Sequence, residues 1–147
     1  MKWSGLIYDS GTIVASGDSG YLNVRDDLIG IGGAAETLNE ASAFDRVSLL
    51  FVPAGLATDE TLDLDWNVAW TAAGVGDIKA HDFTQVTNTN AVERVIAPGG
   101  ESSGMFLAEP AVGSFLPGLV PPFWKFLWTL GGTTKSMSFS VYAFLSW

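Results

Sequence analysis

Residues 121–147 read PPFWKFLWTLGGTTKSMSFSVYAFLSW, the most apolar stretch of the chain. A membrane-spanning helix needs about 20 predominantly apolar residues in a row. Lys125, the segment Gly131-Gly132-Thr133-Thr134-Lys135 and then Ser136, Ser138 and Ser140 interrupt this one, which argues against an anchor. Trp124, Phe126, Trp128 and Leu130 fall on one face of an extended chain. Met137, Phe139, Val141, Ala143, Leu145 and Trp147 do the same after the break. Lys125, Thr129, Ser136, Ser138, Ser140 and Ser146 lie between them, so one face suits a core and the other mostly water. A period of two predicts strands. The Gly-Gly break supplies turn freedom and predicts a C-terminal β-hairpin. Pro121-Pro122 cannot donate ladder hydrogen bonds and marks where the first strand starts.

The same alternation recurs upstream. It is clearest at 61–70, where Leu62, Leu64, Trp66 and Val68 alternate with Thr61, Asp63, Asp65 and Asn67. Burying each such apolar side chain is worth about 1.5–3 kcal/mol, so four on one face fix the register. Further strand-like runs are 6–15, broken at Asp9-Ser10-Gly11, then 21–25, 45–53, 78–86 and 91–97, with a short one in MFLAEP at 105–110. SGDSG at 16–20 is a turn. Residues 26–44 read as irregular, with room for at most one short helix, and 98–120 as a long loop or insertion. Short strands at near-regular spacing predict a single all-β domain over 1–147, a β-sandwich of jelly-roll-like type.

With 147 residues, the chain is long enough for a real core. It has no cysteine, which removes disulfides, thiolate catalysis and Cys-ligated zinc. The net charge of −9, with seven basic residues spread along the chain, argues against nucleic-acid binding. No charged-then-apolar leader stands at the start, so secretion is not expected.

The chemistry-bearing residues are few. His81 is the single histidine, and its neighbour Asp82 points to the opposite strand face, so a surface or cross-strand role is expected. Asp59, Glu60, Asp63 and Asp65 are the best Ca²⁺ candidates by composition, but they lack a glycine-centred ligand loop and read as a solvated strand face. GIGG at 30–33 lacks the ending of a phosphate loop, and SSG at 102–104 lacks the nucleophile-elbow pattern. No catalytic residue, metal site or cofactor is expected. Of six tryptophans, Trp66, Trp124 and Trp128 share the apolar parity of their strands and read as core or interface. Trp3, Trp70 and Trp147 lie at strand or chain ends. Trp3 and Trp70 are the candidates for a sugar-stacking platform. Phe115, Leu116, Leu119, Val120, Phe123 and Trp147 are candidates for a subunit interface. A packed loop of the same chain accounts equally well for the apolar 113–122 segment.

The order of these pieces resembles small β-sandwich virion proteins of tailed bacteriophages. The residues that carry the likeness are Leu62-Asp63-Leu64, Phe83-Thr84-Gln85-Val86-Thr87 and the run Trp128 to Val141, within roughly residues 45–145. Lys135 stands where proline is common in that pattern and Met137 where an aromatic is common, and residues 98–120 look inserted. The resemblance implies a non-catalytic virion structural protein, assembled in the host cytoplasm. A capsid decoration or cement protein is the leading form, and a neck or tail accessory protein an alternative. It further implies contacts with the major capsid protein or other virion proteins and homo-oligomerisation, without nucleic-acid or membrane contacts. A carbohydrate-binding β-sandwich is the other reading that the aromatic content leaves open.

Overall fold

The computed structural model describes residues 2–25, 43–56, 59–74, 77–87, 92–97, 119–133 and 135–147. Alternating apolar residues dictate strands there, and ten form: β1 (Lys2–Asp9), β2 (Gly17–Asp18), β3 (Leu22–Asn23), β4 (Arg46–Ala54), β5 (Thr61–Ala69), β6 (Ile78–Asp82), β7 (Val86–Thr87), β8 (Glu93–Ala97), β9 (Phe123–Gly131) and β10 (Ser138–Ser146). One sheet has the order β1-β10-β4-β8. The other runs β2-β9-β5-β6, with β3 also on β9 and β7 also on β5. All pairs are antiparallel. Taking β2 with β3 and β6 with β7 as single positions, the chain visits the sheets as 1-8-3-6 and 2-7-4-5. This is the strand order of a jelly roll, and the expected all-β sandwich is the observed fold.

The apolar parity read from the sequence is the parity of the core. Leu62, Leu64, Trp66 and Val68 of β5 are fully buried, as are Trp124 and Phe126 of β9. They face Val47, Leu49 and Phe51 of β4 and Val141 and Ala143 of β10. Trp66 meets Trp124 edge to face at 5.1 Å, and Tyr8 stacks across the sandwich on Phe126 at 5.7 Å.

The expected C-terminal hairpin is not present, although both of its strands are. All nine residues of β9 pair with β5, from Thr61↔Gly131 to Ala69↔Phe123. All nine of β10 pair with β4, from Arg46↔Ser146 to Ala54↔Ser138. The segment between β9 and β10 therefore crosses from one sheet to the other. The physical reason lies in the two apolar faces: side by side in one sheet, both would need cover, whereas in opposed sheets each covers the other. Trp128 accordingly meets Phe139 edge-on at 5.6 Å.

Local chemistry fixes the connections. The tripeptide Asp-Ser-Gly occurs at 9–11 and at 18–20 and makes the same turn twice. In each, the aspartate Oδ1 accepts the glycine N–H, and the glycine has positive φ, 59° at Gly11 and 67° at Gly20. Each serine hydroxyl also accepts a backbone N–H from a neighbouring strand, Ser10 from Phe139 and Ser19 from Phe126. A side chain thus continues the ladder where the backbone turns away.

The short helix expected within 26–44 lies outside the described residues except for Ala43 and Phe44, of which Phe44 bridges to Val120. The 98–120 loop or insertion, including MFLAEP, also lies outside them except for Leu119 and Val120. Among the described residues, no helix is long and apolar enough to cross a membrane.

Candidate functional site: a cationic basin on the four-stranded sheet

Outward-pointing residues of the four-stranded sheet line up in cross-strand rows. One row is Lys2, Ser146 and Arg46, and the next is Ser4, Phe144 and Ser48. A third runs Leu6, Tyr142, Leu50 and Arg94. The first two rows, with Arg94 reaching in from β8, line an open basin of about 500 Å³. Trp3 and Leu145 complete its wall.

Three of the seven basic residues line this basin, and among the described residues no carboxylate does. Among the described residues, Lys2, Arg46 and Arg94 make no ion pair; the pairs formed there involve Lys79 and His81. Arg94 is held by its Nε, which donates to Ser48 Oγ at 3.0 Å. That bond leaves the two terminal nitrogens of the guanidinium in a fixed fork, the geometry that receives a carboxylate, sulfate or phosphate in bidentate fashion. Phe144 is 59% exposed in the middle of the basin's rows. The site therefore combines positive charge, hydroxyls and an aromatic surface.

The outer face of the six-stranded sheet has the opposite character. Asp18, Leu127, Asp65 and Asp82 form one row across β2, β9, β5 and β6. Lys79 bridges Asp65 at 2.8 Å and Asp82 at 3.8 Å. Burial first, and then the hydrogen bond and charge of Asp65, raise the Asp82 carboxyl above its ordinary value.

The remaining sequence candidates are spent on holding the fold. His81 Nε2 lies 3.6 Å from Glu93 Oε2, with the ring edge-on to Phe83. Glu93 also accepts from Thr84 N and Thr84 Oγ1, so one carboxylate of β8 ties the two sheets together along their edge. The partner of His81 is thus Glu93 rather than its neighbour Asp82. Of the 59–65 acids, Asp59 accepts from Thr133 N and Oγ1, and Glu60 from Ser136 N at 2.9 Å. Asp63 accepts from Gln85, and Asp65 pairs with Lys79. Among the described residues, no cluster of three or more carboxylate or imidazole groups is placed for a metal ion.

The interface and platform candidates separate. Val120 and Phe123 are buried in the chain's own interior, which corrects their assignment to a subunit surface. Trp70 is 1% exposed and has no face to offer a sugar, which corrects its assignment to a platform. Both are cases where apolar area at an apparent strand end is absorbed by the sandwich core. Leu119 and Trp147 are half-buried. Trp147 packs edge-on to Phe44 at 5.9 Å, under the Arg25 guanidinium at 4.9 Å. Phe115 and Leu116 lie outside the described residues. Trp3 is half-buried and borders the basin, with its ring against Gly5 on the core-facing side of β1. No protein-family model and no curated protein matches the chain.

Proposed function

We propose that this protein is a structural component of a tailed-phage virion, a capsid decoration or cement protein that stabilises the head shell through subunit contacts. The observation that carries this reading is the jelly-roll order itself, in a chain whose resembling segments become its defining strands. Leu62 to Leu64 lies on β5, Phe83 to Thr87 leads into and forms β7, and Trp128 to Val141 spans the crossing from β9 to β10. Jelly rolls serve in viral capsids and also in lectins, so fold alone does not choose between them. The use of His81, Glu93, Asp59 and Glu60 as cross-links between strands supports a structural role over a catalytic one. Cement proteins act through many modest contacts made strong by multivalency. Adding the purified protein to shells that lack it should raise the temperature at which they release their DNA. An unchanged release temperature at saturating protein would contradict the cement role.

A second reading, a carbohydrate-binding module, is favoured by one specific observation. Phe144, 59% exposed, presents an aromatic ring in the rows that line the basin, whereas the Trp3 ring lies against Gly5 on the core-facing side of β1.

A further inference from the structure

We propose that the basin on the four-stranded sheet binds an acidic saccharide, a sugar unit carrying carboxylate, sulfate or phosphate groups. The proposal rests on the carbohydrate-binding reading and is independent of the virion reading.

Charge sets the class of ligand. Lys2, Arg46 and Arg94 come from β1, β4 and β8, and no described carboxylate pairs with them. Holding three like charges around one basin costs electrostatic energy that an anion relieves. Arg94 is pre-oriented through Ser48, so its terminal nitrogens lose little freedom when they take an anionic group.

Size and lining narrow the class further. An open basin of about 500 Å³ is within the range of small-molecule sites and larger than a bare inorganic anion needs. Phe144, 59% exposed, offers a ring to the C–H face of a sugar. Ser4 offers a hydroxyl as donor and acceptor, and Ser48, whose oxygen accepts from Arg94, keeps its O–H to donate. Ser146 is committed to Asp45, to which its hydroxyl donates. Nucleic acid is the poorer fit. Three cations in one basin make a short footprint for a phosphate backbone, while Asp18, Asp65 and Asp82 occupy the opposite face of a chain of net charge −9.

The test is calorimetric titration of the whole protein with four probes: a galacturonate trimer, a sulfated disaccharide, a neutral galactose trimer and sodium sulfate. At least one charged sugar should bind about tenfold or more tightly than the neutral trimer and than sodium sulfate. Its affinity should fall as salt rises. Arg94→Gln and Arg46→Gln should each weaken it by about tenfold or more, and Phe144→Ala by a smaller factor. Lys125→Gln, on the other sheet, should leave it unchanged, with circular dichroism confirming that each variant is folded. Equal binding of the neutral trimer would overturn the charge assignment while sparing the carbohydrate reading. Sodium sulfate binding as tightly as the charged sugars would reduce the basin to a simple anion site. Binding that survives Arg46→Gln with Arg94→Gln would place the site elsewhere. No binding of any sugar would remove this proposal and the carbohydrate reading together, leaving the virion reading untouched.

Discussion

Glu60 is 1% exposed, and Gly132 has φ of +107°; together they hold the crossing between the sheets. The Glu60 carboxylate accepts Ser136 N, and a Cβ on Gly132 would run into the Asp59 carbonyl oxygen. Glu60→Ala should cost about 1–3 kcal/mol, because it removes the buried carboxylate that accepts the Ser136 N–H and leaves a gap in its place. Gly132→Ala should cost about 1–3 kcal/mol through backbone strain and the clash. Urea denaturation midpoints measure both, and losses below about 0.5 kcal/mol would mean that the link is not held as described. Neither role was legible in the sequence. The acids at 59–65 look alike there, and only the fold shows that Glu60 turns inward while Asp63 and Asp65 remain on the outer face. The parity of Trp66 or Phe139 was legible, because burial at every second position follows from strand geometry alone.

Among elements, alternation gave the strands but not their partners. β9 and β10 read as neighbours because a Gly-Gly break joins them, yet each spends its edges on other strands, β5 and β4. Local signals cannot distinguish a hairpin turn from a crossing when both strands are apolar on one face. The basin was hidden for the same reason. Alternation marks Arg46 and Arg94 as outward-facing, but only the order β1-β10-β4-β8 brings them to one surface with Lys2.

The acidic row on the opposite sheet makes a prediction at this scale. Asp82 has a raised pKa in the folded protein, so the folded state holds that proton more tightly than the unfolded one. Its contribution favours folding below the ordinary carboxylate value of 3.8 and is lost as pH rises through the raised value. At neutral pH the charged Asp82 therefore opposes folding. Asp82→Asn should raise the melting temperature slightly at pH 7 and leave it unchanged or lower near pH 3. The gain is limited to a few tenths of a kcal/mol by solvent screening of a side chain that is 67% exposed. Lys79 keeps its closer partner Asp65 in the variant. A lower melting temperature at pH 7 would show that the Lys79 contact outweighs the repulsion.

At the scale of the whole molecule, the jelly roll separates two outer faces of unlike chemistry. One carries Lys2, Arg46, Arg94 and exposed Phe144, and the other carries Asp18, Asp65 and Asp82. A subunit fixed to a larger assembly has use for such polarity, with one face making contacts and an acidic face turned to water. The interior between them is rich in aromatic rings, with Trp66, Trp124, Phe51 and Phe126 fully buried. This supplies the stability that a chain without disulfides must draw from packing. The most direct measurement of the proposed virion role is the copy number of this chain in gradient-purified phage particles from a culture that produces it. Quantitative mass spectrometry against the major shell protein would provide it. A decoration role predicts hundreds of copies in simple ratio to the shell protein, about a dozen would move the protein to the neck or tail, and absence from the particles would contradict the virion account.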